Sequence, residues 1–324
     1  MSRYVFKRLL MLIPVILGVT IVIFTLMYFV PGDPATAILG SGAEPWEYEE
    51  LREKMGLNDP YIVRLLSYLK QVYIDFDLGN SYLTGVSITQ ELMGRLPRTL
   101  TLGFISVLVS VFVGIPLGVN AAVHQGTVGD WMPMTIALFG ISMPGFWLAL
   151  MLVLIFSVNL GWLPPYGMGG IEYWILPILS GSFHGIANLA RQTRSSMLEV
   201  LSSDYVTMAR AKGMPERSVI YKHALPNALI PIITILGTTL ARIFGTGMLT
   251  ETIFSIPGVG YYMVKAVNNR DYPAVQGSVL VLAIVFSVVM LLTDLVMATV
   301  DPRIKAQFAS RGGEKKKKEA KENG

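Results

Sequence analysis

The 324-residue sequence contains no cysteine. That absence excludes a disulfide framework, thiolate metal sites, iron–sulfur clusters and cysteine nucleophiles. Three histidines, His124, His184 and His223, lie far apart in the chain, which argues against a histidine-based metal centre. Charge is also scarce. Only 15% of residues are Asp, Glu, Lys or Arg, against about 25% in an ordinary soluble domain. No glycine-rich loop ending in Gly-Lys-Ser or Gly-Lys-Thr is present to cradle a nucleotide phosphate. The first apolar run ends in Tyr-Phe-Val-Pro-Gly-Asp, without the small-x-small pattern of a cleaved signal peptide, so it reads as an uncleaved helix.

What is abundant is apolar. Hydrophobic residues make up 52% of the chain and the mean hydropathy is +0.54. They gather into runs of about twenty residues, the length a helix needs to cross a bilayer. The expected class is an all-α membrane protein with six spans. These run from about 9 to 30, 99 to 123, 131 to 158, 173 to 197, 227 to 249 and 277 to 300. The third is interrupted at Met143-Pro144-Gly145, and the fourth contains Pro177, Gly181, His184, Gly185 and Arg191. Proline and glycine at this density are tolerated where neighbouring helices or cavities satisfy the freed backbone groups. Gly114, Gly118, Gly245 and Gly247 read as helix-packing positions.

Charge sets the orientation. With the N-terminus inside, segments 1–8, 124–130, 191–226 and 301–324 hold 17 of the 26 Lys and Arg residues, and the outer segments hold 8. This asymmetry follows the positive-inside rule and places both termini in the cytoplasm. The chain then divides into a cytoplasmic N-terminus (1–8), a first transmembrane helix (9–30), an external segment (31–98), a five-helix core (99–300) and a cytoplasmic tail (301–324). In the external segment Leu65, Leu66, Leu69, Val72 and Tyr73 recur at helical spacing, which predicts a small cap packed on the bundle. The tail carries Lys315–Lys318 in a row and reads as disordered.

One hydrophilic cytoplasmic stretch, 198–226, contains its own helix punctuation. Ser203 or Asp204 can cap a short helix that ends at Ala211, with Lys212 in its last turn and Gly213 at the left-handed position beyond. Pro215 suits the first turn of a second short helix, which includes Glu216 and runs to Ala224, and Leu225-Pro226 precede the break before span five. Spacing alone leaves two readings open. The stretch is either an amphipathic loop on the membrane surface or a docking element for another protein.

The Ala209-Arg210-Ala211-Lys212-Gly213 element, followed by His223-Ala224-Leu225-Pro226, resembles the coupling loop of ABC-importer permeases. Met208 departs from the family's Glu, and His223 from its usual apolar residue. Further strings resemble the dipeptide/oligopeptide branch. They include Pro31-Gly32-Asp33-Pro34, Arg95-Leu96-Pro97, Gly161-Trp162-Leu163-Pro164, Glu251-Thr252-Ile253-Phe254, Pro257-Gly258-x-Gly260 and Asp301-Pro302-Arg303. In this order they cover residues from about 3 to 305.

The resemblance implies a bundle of the type I ABC-importer kind and no catalytic residues, cofactor or metal in this chain. It implies a second homologous permease, two ATP-binding ABC subunits and an external solute-binding protein as partners, with membrane lipid around them and no nucleic acid. It also implies that Asp204, Ala209, Arg210, Ala211, Lys212, Gly213, Glu216, Leu225 and Pro226 form the coupling contact, and that peptides are the cargo. Oligosaccharides or nickel complexes are the alternative cargoes within the family.

Two charged residues inside spans, Arg242 and Asp294, are candidates for the translocation pathway. They sit at different depths, about 21 Å and about 9 Å above the inner ends of their spans, so a direct pair between them is not expected. A stand-alone secondary carrier is the competitor from another class. It would call for midplane ionisable groups and often an internal repeat, and no convincing repeat is present.

Overall fold

The computed structural model describes residues 2–40 and 42–300, with the side chains at 2–5, 7, 37, 234–235, 238–246 and 297–300 excepted. Every regular element among the described residues is helical. The expected spans map onto α1 (Ser2–Phe29), α5 (Ile88–Val123), the pair α6 (Val128–Ser142) and α7 (Gly145–Leu152), α8 (Glu172–Leu201), α11 (Leu225–Ile253) and α13 (Tyr272–Val300). Short helices fill the connections: α2 (Pro34–Leu39), α3 (Pro45–Lys54), α4 (Tyr61–Tyr73), α9 (Asp204–Ala211), α10 (Glu216–Ser218) and α12 (Val259–Asn268). The tail 301–324 lies outside the described residues.

Length and composition together qualify α1, α5 and α13 as single spans, and the pair Val128–Ser142 and Gly145–Asn159, bent by 110° at its break, as either a broken span or a re-entrant loop. The bend falls where expected. Pro144 disfavours helical backbone at the residue before it, and Met143 is extended at φ −79° and ψ 134°. Beyond α7 the helix widens into a π-helical stretch, Val153–Asn159. At 30 residues, or about 45 Å, α8 is long enough to cross. Its polar content keeps it from resembling the apolar spans.

Three boundaries differ from expectation. Helix α5 begins eleven residues before span two, because Ile88 and Leu92 are fully buried in an outer core with Val259, Ala274 and Val275, and Glu91 pairs with Arg95 one turn on. The break expected at Pro226 is absent. A π-helical turn, Val219–Ala224, runs directly into α11; the proline ring needs relief from the carbonyl four residues earlier, and a widened turn provides it. Helix α4 does not cap the bundle through its leucines. Val72 is its only buried residue and Leu66 is exposed. Its tyrosines lie along the outer half of α1 instead. Tyr61 Oη lies 2.7 Å from Thr25 Oγ1, Tyr73 Oη lies 2.6 Å from Thr20 Oγ1, and Tyr68 stacks on Phe24.

The centre of the bundle is the pair α5–α8. Glycines let the two backbones meet: a Cβ at Gly118 would stand within 3 Å of Thr193 Cβ and closer still to the Ala190 carbonyl oxygen. At Gly114 it would come within 2.9 Å of the Ile186 carbonyl oxygen. Packing at these two glycines is as expected; Gly247 has nothing within 4 Å among the described residues, and the side of the helix at Gly245 lies outside them.

Candidate functional site

The cytoplasmic stretch after α8 folds as two short helices joined by a tight turn. Helix α9 covers Asp204–Ala211, and the acidic Asp204 in its first turn suits the positive end of the helix dipole. Ser203 occupies the cap position, but its hydroxyl donates to the Val200 carbonyl 2.5 Å away and gives no side-chain cap to α9. The helix ends at Lys212, and Gly213 takes φ +75°. This is the left-handed conformation that favours glycine. Open space surrounds Gly213, so backbone geometry alone sets that preference.

Arg210 and Glu216 bridge the turn. Arg210 Nη2 donates to Glu216 Oε1 at 2.7 Å, and Nε lies 3.2 Å from Oε2. The guanidinium beside it holds the Glu216 carboxyl below the usual carboxylate range. Underneath, Val206 and Ala209 turn into an inner core with Met197, Val219 and Ala224. Ala209 therefore makes its close approach to this chain's own helices. Leu225 packs at the edge of that core, while Ala211, Lys212, Gly213 and Pro226 are exposed. The outward face carries large apolar groups that the expected set did not include: Tyr205, Met208 and Tyr221, at 45%, 60% and 59% exposure. Residues 205 and 208 lie about 100° round the helix from 206 and 209, too small a separation in so short a helix for phase to mark the outward side.

The candidate pathway residues fall apart. The side chain of Arg242 lies outside the described residues. Asp294 forms an ion pair with Arg8, Oδ2 to Nη1 at 2.8 Å, tying the inner end of α1 to α13. Two further carboxylates act as ties between helices, and sequence reasoning assigned them no role. Asp130, 4% exposed, accepts from Arg194 Nε and Nη2 and from the Gly126 amide, joining α6 to α8. Glu251, 1% exposed, accepts from Thr99 Oγ1 at 2.6 Å and from the Tyr261 amide at 2.9 Å. Thr99 in turn accepts from the Val259 amide, so one carboxylate unites α5, α11 and the start of α12. The glycines at 258 and 260 leave the room it occupies. Among the described residues no group of three or more His, Cys, Asp or Glu is placed to hold a metal ion.

Comparisons with known proteins place this architecture. Residues 114–306 match the model of the binding-protein-dependent transport system inner membrane component, and residues 1–103 match its N-terminal counterpart. The chain is 41% identical to the dipeptide transport system permease protein DppB of Alkalihalophilus pseudofirmus, over 94% of this chain and 100% of that one. It is 38% identical to the glutathione transport system permease protein GsiC of Salmonella typhimurium, over 94% and 99%. A putative peptide transport system permease protein of Brucella abortus is 39% identical, over 94% and 99%. Among solved structures, an inward-facing form of the MetNI methionine ABC transporter superposes with a TM-score of 0.57 at 18% identity, covering 65% of this chain and 97% of that one. That likeness is one of fold.

Proposed function

This chain belongs to the family of binding-protein-dependent transport system inner membrane components, and from that premise we propose that it imports peptides as one of two paired permeases in an ATP-driven transporter. It is a multi-pass membrane permease. In the proposed assembly a second, homologous permease completes the pathway. Two ATP-binding ABC subunits dock from the cytoplasm, and a solute-binding protein delivers di- or oligopeptides from outside. The setting is the inner or plasma membrane of a prokaryote. Relatives whose names specify dipeptide or glutathione transport support peptide as cargo over oligosaccharide or nickel complexes.

The observation that carries the coupling assignment is the outward face of α9. Tyr205 and Met208 on α9 and Tyr221 on the turn after it stand open beside the charged Arg210–Glu216 pair, and large apolar groups framed by an ion pair suit a contact with another protein. We assign the contact to Asp204, Arg210, Ala211, Lys212, Gly213 and Glu216, extended by those three apolar side chains. Ala209 and Leu225 hold the element against the bundle, and Pro226 stays in the contact with the other exposed residues. In this reading ATP binding closes the ABC subunits and moves the two coupling elements together. The spans then rock between two states as rigid bodies.

Purification of the chain from its native membrane tests the assembly: a second permease and two ATPases should remain bound. Gly213→Pro tests the coupling. Proline fixes φ near −65°, incompatible with the +75° here, and the variant should insert normally yet lose peptide-stimulated ATPase activity. Stimulation at the wild-type level in that variant would remove the assignment.

A further inference from the structure

Helix α8 is buried on one side and polar on the other. Its buried face carries Gly185, Leu189, Ala190 and Thr193, pressed on α5 through Gly114 and Gly118. Its open face carries His184, Asn188, Arg191 and Ser195, with Gln192 beside them. The first four stand at i, i+4, i+7 and i+11 and therefore share one side of the helix. Arg191 and Ser195 are exposed; His184, Asn188 and Gln192 are half-buried.

Depth decides what this face meets. Counting back from residue 197, the inner end of span four, Arg191 stands about 9 Å up, Asn188 about 14 Å and His184 about 20 Å. A long arginine can reach the headgroups from about 9 Å. An asparagine amide at about 14 Å cannot. At a comparable height on α5, about 16 Å above Val123, the open residue is Phe112 at 72% exposure, with Leu108 a turn further up. Hydrocarbon therefore suits the open side of α5 and not that of α8. A tight helix–helix contact suits α8's open face no better: such contacts are built from small residues with an occasional polar side chain bonded across them, whereas α8 presents its small residues to α5 and turns five polar side chains, one of them an arginine, to the open side.

We propose that His184, Asn188, Arg191, Gln192 and Ser195 form this chain's wall of the aqueous translocation pathway over its inner half. This rests on the functional reading above and names the residues that meet the cargo. The amide, hydroxyl and imidazole groups supply both donors and acceptors, which can exchange for water along a peptide backbone as it passes. Arg191 has no carboxylate within ion-pair distance among the described residues. It is the cation a peptide's terminal carboxylate meets.

The absence of cysteine makes the test direct. Single variants Asn188→Cys and Ser195→Cys, with Phe112→Cys and Val22→Cys as lipid-facing comparators, are placed in the assembled transporter in inside-out membrane vesicles. A charged, membrane-impermeant methanethiosulfonate is added. The thiolate is the reactive form and needs water to exist, so positions 188 and 195 should react at least about tenfold faster than 112 and 22. The attached group should also cut the ATP-driven release of tripeptide loaded, together with the solute-binding protein, into the vesicle lumen, relative to the same variant before labelling. Rates at 188 and 195 as slow as at 112, with and without ATP, would overturn the proposal, because lipid or the second permease then covers the face. Release of lumenal tripeptide by the unsubstituted transporter is read in the same vesicles. Its absence sinks the functional reading, whereas release with slow labelling sinks only this one.

Discussion

The open face of α1 and the open face of α8 are both uncovered in this chain, yet they are built for different surroundings. On α1 the uncovered side chains include Ile13, Val22, Leu26 and Phe29, all apolar and each at least 57% exposed. On the inner half of α8 they are Arg191, Ser195 and Glu199, with Asn188 half-buried beside them. Helix α1 packs mainly along α13, with a lesser contact to α4, whereas α8 packs against α5, α6, α7 and α11. A peripheral helix thus shows lipid-compatible groups, and the most central helix shows groups that need water. Exposure in a single membrane chain carries no meaning until the solvent is named, and side-chain chemistry names it.

The largest expected effect comes from placing the same charge on both faces. Val22→Arg puts an arginine near the middle of α1, which should cost about 2.5–3.5 kcal/mol of insertion free energy. Asn188→Arg should cost a small fraction of that, because the group enters a water-filled path. Membrane-inserted yield and the melting temperature of the purified transporter would read the difference. Equal losses at the two sites would erase the contrast between the helices.

A smaller effect tests the side of α8 that is closed. Gly118→Leu adds a side chain where even a Cβ would stand within 3 Å of Thr193 and closer still to the Ala190 carbonyl. The two backbones must separate, and overpacking of this kind costs about 1–3 kcal/mol. Gly247→Leu, at a glycine with open space around it among the described residues, should melt within experimental error of the parent. Similar losses in both variants would mean that α5 and α8 are not held as described.

Next in size is the tie that anchors the inner third of α8. Asp130→Asn removes the charge that Arg194 meets. Since Arg194 remains 29% exposed and can be partly rehydrated, the expected cost is about 1–2 kcal/mol, toward the lower end for a hydrogen bond to a charged group. Thermal unfolding of the purified transporter measures it, and Arg191→Gln on the open face should leave the melting temperature unchanged. A larger loss from Arg191→Gln than from Asp130→Asn would reverse the roles given to these two arginines.

How much of this was legible beforehand follows from the range of the forces involved. Spans, the bend at Pro144, the left-handed Gly213 and the two-helix loop after α8 are local, written in apolar runs and in turn residues. The ties are not local. Asp130 and Arg194 stand 64 residues apart, and Thr99 and Glu251 stand 152 apart. Nothing in composition or period pairs them. Asp294 was weighed against Arg242 on depth alone, and its partner proved to be Arg8, at the start of the chain. Helical phase explains the remaining misses. An eight-residue helix such as α9 has too few turns to reveal from its pattern which side faces inward, so Ala209 looked available for docking when it is a core residue. The polar stripe on α8 was present in the sequence as scattered His, Asn, Arg and Ser. It became a face only once the opposite side was seen pressed on α5.

The smallest expected effect concerns the brace on the cytoplasmic surface, where water again decides the magnitude. Arg210 and Glu216 are 42% and 54% exposed, so their attraction is screened and should contribute under about 1 kcal/mol. The sign of its pH dependence follows from the direction of the shift. Glu216 is held below its ordinary carboxylate value by Arg210. The folded loop therefore binds its proton less readily than the unfolded chain, and the contribution is present above the ordinary value. It fades as the pH falls through the lower, folded-state value. Glu216→Gln should consequently lower the melting temperature slightly at neutral pH and by a vanishing amount in acid. Because the brace also sets how α9 meets the second short helix, peptide-stimulated ATPase should fall further in this variant than its small loss of stability accounts for. ATPase activity that tracked melting alone would make the pair an ordinary surface ion pair, and the docking face would then rest on Tyr205, Met208 and Tyr221 without it.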